Sequence, residues 1–219
     1  MKKYELVSDQ AIDFLGKQLF RIRALTSFGA VAAGELGGWI ERENNLSQRD
    51  SSWVSGGAWV CGAARVSGNA RVFGNARVSG NVRVFGNAQV YGDAQVFGEA
   101  RVFGEAWVFG NARVYGNAQV YGNAQVYGDA RVSGDAQVSS DAQVSGNAHY
   151  ITIGPIGLDG GTLTAFRQVD NSILVNWGCF SGTIEEFVDA VRKRHGETHY
   201  AAEYGIAIKL IETRLAEID

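Results

Sequence analysis

Lysine is absent from residues 53–149, and histidine, cysteine and proline are scarce throughout. The 219 residues hold three histidines, two cysteines and one proline. Cys61 and Cys179 lie too far apart in sequence to form a disulfide framework, which fits a reducing compartment. With no cluster of histidine and cysteine, no metal site is expected, and no cofactor. The chain has no run of 18 apolar residues, and its start, MKKYELVSDQ, is charged and lacks an apolar core. Both features predict a protein that is neither secreted nor membrane-spanning and that works in the cytoplasm. A net charge of −3 gives no general attraction to nucleic acid.

What is abundant is valine in phase. It recurs every sixth residue from Val54 to Val144, sixteen times. Alanine stands two residues before it from Ala58 to Ala148, except at Val82, and glycine stands two residues after it, except at Ser140. Asn, Asp or Glu follows that glycine from Asn69 to Asn147. A period of six matches neither a helical face nor the alternation of one strand, so each hexad reads as a short strand plus a corner. The β-branched valine suits an inward strand position, and the small alanine suits a narrow interior. Gly-Asn and Gly-Asp supply the left-handed backbone of a tight corner. The six-residue spacing excludes a pentapeptide solenoid.

The unit Val-x-Gly-Asn-Ala-x resembles the hexapeptide-repeat superfamily. That resemblance implies a mainly β fold, a left-handed parallel β-helix of triangular section with three hexads per coil. Sixteen hexads then make about five coils, a prism roughly 25 Å tall at the usual strand spacing. The segments RIRAL, LGGWIE and NNLSQ ahead of the clean hexads are similar to YdcK-like hexapeptide-repeat proteins of enterobacteria, phages and prophages. Residues 1–27 are expected to form an N-terminal cap, with LFRIRAL (Leu19–Leu25) as its strand. Residues 28–150 form the β-helix, opening with irregular coils over 28–53, and 151–219 form a small α+β domain.

The only proline, Pro155, marks the start of that last domain. LTAFRQV and SILVNWGCF read as a hairpin across a two-residue turn, Asp170-Asn171. Thr183 with Glu186 is a capping box that opens a helix closed by Gly196. A second helix is expected from Tyr200 to Glu217, with Ala201, Tyr204, Ile208 and Ile211 on one face. The phrase GCFSGTIEEF is similar to the tails of phage hexapeptide proteins.

The residue after each valine must point outward, and in the middle of the array it is Phe or Tyr. At eighteen residues per coil these rings sort into three columns. Phe73, Tyr91, Phe109 and Tyr127 make one, Phe85, Phe103 and Tyr121 a second, and Phe97 and Tyr115 a third. The bland account is ring stacking between coils. Three exposed apolar stripes also call for a cover, and proteins with this helix assemble as parallel homotrimers through flat faces. Phe73, Phe85, Tyr91, Phe97, Phe103, Tyr115, Tyr121 and Tyr127 are therefore the expected oligomer interface. All seven arginines of 53–149 precede a valine, and all six acids sit at corners. Guanidinium stacks on rings and is common at interfaces.

Aromatic plus arginine is also the pairing that stacks bases and contacts phosphate, and Arg101, Trp107, Phe109 and Arg113 are the residues expected to bind a flat anion. The acidic corners argue against long nucleic acid but leave room for a small nucleotide. In the tail, GCFSGT is read as running from a strand into a helix N-terminus, where Gly182 and Thr183, helped by Arg167, would accept an anion.

Many relatives of the superfamily are acyltransferases with a histidine base between subunits. Such enzymes interrupt their hexads with pocket-building loops, and residues 54–149 contain none. The histidines available are His149, His195 and His199. Cys179 with His195 would make a thiol pair without an oxyanion device. The sequence therefore reads as a non-catalytic phage or prophage binding or scaffold protein, a homotrimer that captures a host protein or sequesters a nucleotide immune signal. An acyltransferase-like enzyme and a purely structural assembly part are the alternatives.

Overall fold

The computed structural model describes residues 2–14 and 16–216. Each hexad forms a two-residue rung with the valine inward and its predecessor outward, as in Arg71–Val72 and Gln89–Val90. Each rung pairs in parallel with the one eighteen residues on: Gln89 with Trp107, Val90 with Val108. The rungs sort into three sheets, of six and five strands and of eight strands that include two from the N-terminal hairpin, the faces of a parallel β-solenoid with three hexads per coil. Along one hexad, Arg71 N–H donates to Ala88 O at 2.9 Å, Phe73 N–H to Val90 O at 3.0 Å and Asn75 N–H to Gly92 O at 2.8 Å. The corner is thus bonded to the next coil as firmly as the face. The register valines, and the alanines from Ala58 to Ala142, are buried and form one continuous core.

The prism has six coils, one more than the valines predict. Ile40 pairs with Val60 and Leu46 bridges Val66, a separation of twenty rather than eighteen. Two extra residues in this opening coil lie between Leu46 and Val54, out of the valine register. The side chains of this coil satisfy the edge beneath it. Buried Asn45 donates to Gly62 O and Ala64 O, and the carboxylates of Glu41 and Asp50 accept from the amides of Gly62 and Gly68.

Above it lies a hairpin of β1 (Tyr4–Phe14) and β2 (Lys17–Ala24), and β2 pairs antiparallel with β3 (Leu36–Ile40), which continues the eight-stranded face. The expected cap strand is β2, with Leu25 left outside it. Its partner β1 carries a register shift between Val7 and Ala11, which breaks the alternation that would have marked it. The hairpin moves the edge of this face from the opening coil to β1, whose register shift makes it an irregular template for another chain.

Lys3 is buried in this cap, donating to the carbonyls of Asp50 and Ser52, both at 2.8 Å. Burial, partly offset by the Asp50 carboxylate, lowers its pKa from 10.5 to about 8. Between these values the unfolded chain binds more protons than the folded one, so stability rises with pH through that window and levels off near the unfolded value. Between pH 7.5 and 9.5, urea unfolding of the wild type is expected to gain about 1–2 kcal/mol relative to Lys3→Met. Cys61, whose thiol is pushed up by burial, contributes an opposite slope to both proteins and cancels in the comparison. Parallel pH curves for the two proteins would show that Lys3 stays charged at no cost.

The tail is an antiparallel sheet of β4 (Tyr150–Ile156), β5 (Gly161–Arg167), β6 (Ile173–Trp177) and β7 (Phe180–Thr183), followed by α1 (Ile184–His195) and α2 (His199–Arg214). The capping box is present: Thr183 Oγ1 accepts from Glu186 N–H, and Glu186 Oε2 accepts from Thr183 N–H. Tyr204 and Ile211 of α2 are buried and Ala201 and Ile208 half-buried, as the expected face requires; Glu217 lies outside the described residues.

Two local readings need correction. The β5–β6 loop has three residues, Val169 to Asn171, with Gln168 N–H bonded to Ser172 O and Asn171 in the left-handed region at φ +65°. That is a type I turn closed by a bulge, which Asn adopts readily. The two-residue turn is Gly178-Cys179, where Trp177 pairs with Phe180. GCFSGT is therefore a turn and a strand before the helix begins.

The tail closes the lower end of the prism. Thr164 Oγ1 accepts from Gln137 N–H at 3.0 Å, and Asn176 Nδ2 donates to Gln137 O and to Ser139 Oγ, both at 2.9 Å. Phe166 is fully buried and belongs to the core of the prism rather than to that of the tail.

Candidate functional site

The three ring columns are real ladders. Phe73–Tyr91–Phe109–Tyr127, Phe85–Phe103–Tyr121 and Phe97–Tyr115 stack with centroids 4.8–5.0 Å apart and planes within 1–5° of parallel. The rise of the coils sets this spacing, since strand separation is close to the stacking distance of rings. Stacking covers ring faces and leaves the edges half-exposed. All eight residues of the expected interface thus stand in straight columns, flush with flat faces.

The corners form ladders of another kind. Asn75 donates to Asp93, Asn81 to Glu99, Asn87 to Glu105, Asn111 to Asp129, Asn117 to Asp135 and Asn123 to Asp141. Every acid of residues 53–149 accepts from the asparagine one coil before it, and amide and acid alternate down each corner from the first acid onward. No two carboxylates become neighbours, so like-charge repulsion is kept two coils apart.

Arginine does not follow that discipline. Arg65, Arg83 and Arg101 pair in register on successive rungs of the five-stranded face, followed by Gln119 and Gln137. On the eight-stranded face Arg77 lies 5.8 Å from the Trp59 ring centre. On the six-stranded face Arg71 shares a shallow pocket with Glu35.

Of the residues expected to bind a flat anion, Arg101, Trp107 and Arg113 belong to consecutive hexads and so occupy three different faces. They are not brought together. Phe109 is sandwiched between Tyr91 at 4.9 Å and Tyr127 at 5.0 Å, leaving no ring face for a base. Trp107, flanked by Gln89 and Gln125, is exposed.

In the tail, the Arg167 guanidinium donates to Leu215 O at the end of α2, and β6 separates Arg167 from Gly182 and Thr183. The amides of Thr183 and Glu186 are taken by the capping box, and a side chain at Gly182 would meet Glu186 Oε2. The Thr183 amide and the Arg167 guanidinium, two of the groups expected to hold an anion, thus already have partners within the chain.

A cleft of about 550 Å³ that sequence reasoning missed lies between the last coils and the tail. Asp135 and Gln137 line it from the prism, and Asp159, Trp177, Arg194 and His195 from the tail. Arg194 sits 5.1 Å from the Trp177 ring centre and 2.9 Å from Asp159 Oδ2. Cys179 and His195 both border it, yet among the described residues no hydrogen bond joins them. His149 is occupied locally, its Nδ1 3.1 Å from Ser145 Oγ. Among the described residues no group of three potential metal ligands occurs, and no helix is long and apolar enough to cross a membrane.

The profile of the YdcK beta solenoid repeat matches residues 64–78, 76–92, 106–122 and 124–140. These four stretches of the prism are similar to YdcK-type β-solenoid repeats. The YdcK matches fall wholly on the regular coils, each spanning about one turn of the prism, and leave the capping hairpin and the tail unmatched. No curated protein matches the chain.

Proposed function

We propose that this YdcK-type solenoid is a non-catalytic binding scaffold that acts as a homotrimer, with parallel prisms meeting through their ring-bearing faces. One observation carries the reading: three straight, parallel ring ladders lie on flat faces that no loop interrupts. Ring edges in continuous stripes are apolar surface that a second copy in the same orientation meets at the same rise. A loop-free face offers nothing to build a substrate pocket, which speaks for contact rather than turnover. In this reading the protein serves a phage or prophage, holding a host factor or small nucleotide in the host cytoplasm; the likeness of its RIRAL, LGGWIE and NNLSQ segments supports that setting.

Native mass spectrometry with sedimentation analysis tests the assembly. A trimer is expected for the wild type. Serine occupies the ring slot in six hexads, so Phe103→Ser/Tyr121→Ser and its counterparts on the other faces keep the local fold. At least one such pair is expected to release monomers with unchanged β-sheet circular dichroism. A monomeric wild type would refute the proposal.

A further inference from the structure

The corner columns of this prism never place like charges on adjacent coils, so the one column that stacks three arginines stands out. Among the described residues none of Arg65, Arg83 and Arg101 forms a salt bridge. None lies over an aromatic ring, as Arg77 does. Glutamine fills the same slot in six other hexads, so the rung does not need a cation. Three exposed guanidinium groups one strand spacing apart repel one another, and an anion is what reverses that cost.

The surface beside them is concave. Ala63, Arg65, Asn81, Arg83, Glu99 and Arg101 line a notch of about 330 Å³. Ala63 begins that corner column without the amide or acid carried by the positions below it, and so opens the notch next to Arg65 and Arg83. The corners flanking Arg65 and Arg83 are uncharged: Ala63 and Asn69, then Asn81 and Asn87. Glu99 and Glu105 flank Arg101, and Gln119 continues the face below it. The cationic strip is therefore two strand spacings long, on the order of 10 Å, and closed at its lower end by acids.

We propose that Arg65, Arg83 and Arg101 bind a short multivalent anion, a linear chain of two or three phosphoryl groups, laid along the prism axis. Guanidinium groups grip phosphoryl oxygens in pairs, and a strip bounded by carboxylates rejects a long polyanion. Phe103, beside Arg101, is stacked on both faces, by Phe85 and Tyr121, and the three guanidinium groups bear on phosphoryl oxygens, so recognition is of the phosphate chain rather than of a base. The inference deepens the reading of the chain as a binding protein, and it requires only that this strip face solvent, not that the protein be a trimer.

Calorimetry with inorganic tripolyphosphate tests it, on samples whose oligomeric state is measured in parallel. The wild type is expected to bind one chain per site, weakening as salt rises, with orthophosphate at least about tenfold weaker. Arg83→Gln removes the middle contact with a side chain native to this slot, and is expected to cost about tenfold or more in affinity. Arg131→Gln, on the eight-stranded face, is expected to change nothing. ATP binding like tripolyphosphate identifies a nucleotide as an acceptable source of the phosphate chain, and ATP failing to bind restricts the site to the inorganic chain. No heat with tripolyphosphate, equal loss in Arg131→Gln, or tighter binding of oligothymidylate per phosphate would overturn the inference. Tripolyphosphate binding by a monomer overturns only the trimer, and a trimer that ignores the probe overturns only this site.

Discussion

Phe166→Ala is expected to lower the stability of the whole chain by about 3–5 kcal/mol, the usual cost of emptying a buried phenylalanine site. Phe166 is fully buried, and it comes from the tail sheet while packing into the prism core. Its loss leaves the last valines, Val138 and Val144, facing a cavity. It also loosens the edge contacts made by Thr164 and Asn176. The expected signature is a lower urea midpoint together with new proteolytic cuts between residues 150 and 216. The unsealed end should then associate, because it exposes unpaired rungs. A loss below about 1 kcal/mol would show that the tail is an independent appendage rather than a plug.

Gly80→Ala is expected to be nearly as damaging, for a backbone reason. Gly80 has φ +81°, and a Cβ there would lie 2.7 Å from Gly98 O and 3.0 Å from Gly98 N in the next coil. The left-handed conformation alone costs an alanine about 1–2 kcal/mol. Pushing two coils apart at a hydrogen-bonded corner adds about 1–3 kcal/mol, as other overpacked sites do. Gly134 separates the two effects, since its φ is +64° but a Cβ would meet nothing within 4 Å. Gly134→Ala should therefore lose only the conformational part. Equal unfolding midpoints for the two variants would show that coil contact is not what keeps glycine at the corners. Ser140 already hints at the outcome, for this sole non-glycine in the series sits at φ +55° on the last full coil, where no corner follows.

The prism was legible because eighteen-residue geometry repeats: once valine is inward, Phe73 must stand above Tyr91, and the ladders follow. The same arithmetic rules out one site from Arg101, Trp107 and Arg113, because residues six apart lie on different faces, while neighbours on one face lie eighteen apart. The opening coil escaped the register because two extra residues shift Ile40 and Leu46 out of phase with Val54. In the tail, Asp170-Asn171 looked like a complete turn, whereas the left-handed Asn171 closes a longer loop. Nothing in local sequence foretold the cleft, because Trp177 and Arg194 meet only through the packing of helix on sheet. The arginine strip was readable in principle, since Arg65, Arg83 and Arg101 are spaced by eighteen, but only a comparison of columns separates this run of three from Arg77 on its ring, Arg71 beside Glu35 and the shorter Arg113–Arg131 pair.

The alternation of amide and acid at the corners also sets the step in which such an array lengthens or shortens. Removing a single coil, residues 106–123, would bring Asp93 against Asp129, Glu99 against Asp135 and Glu105 against Asp141, three carboxylate contacts at once. Removing two coils keeps every acid under an asparagine. Descent by duplication is thereby biased toward units of thirty-six residues, twice the structural turn, and the height of the column is counted in pairs.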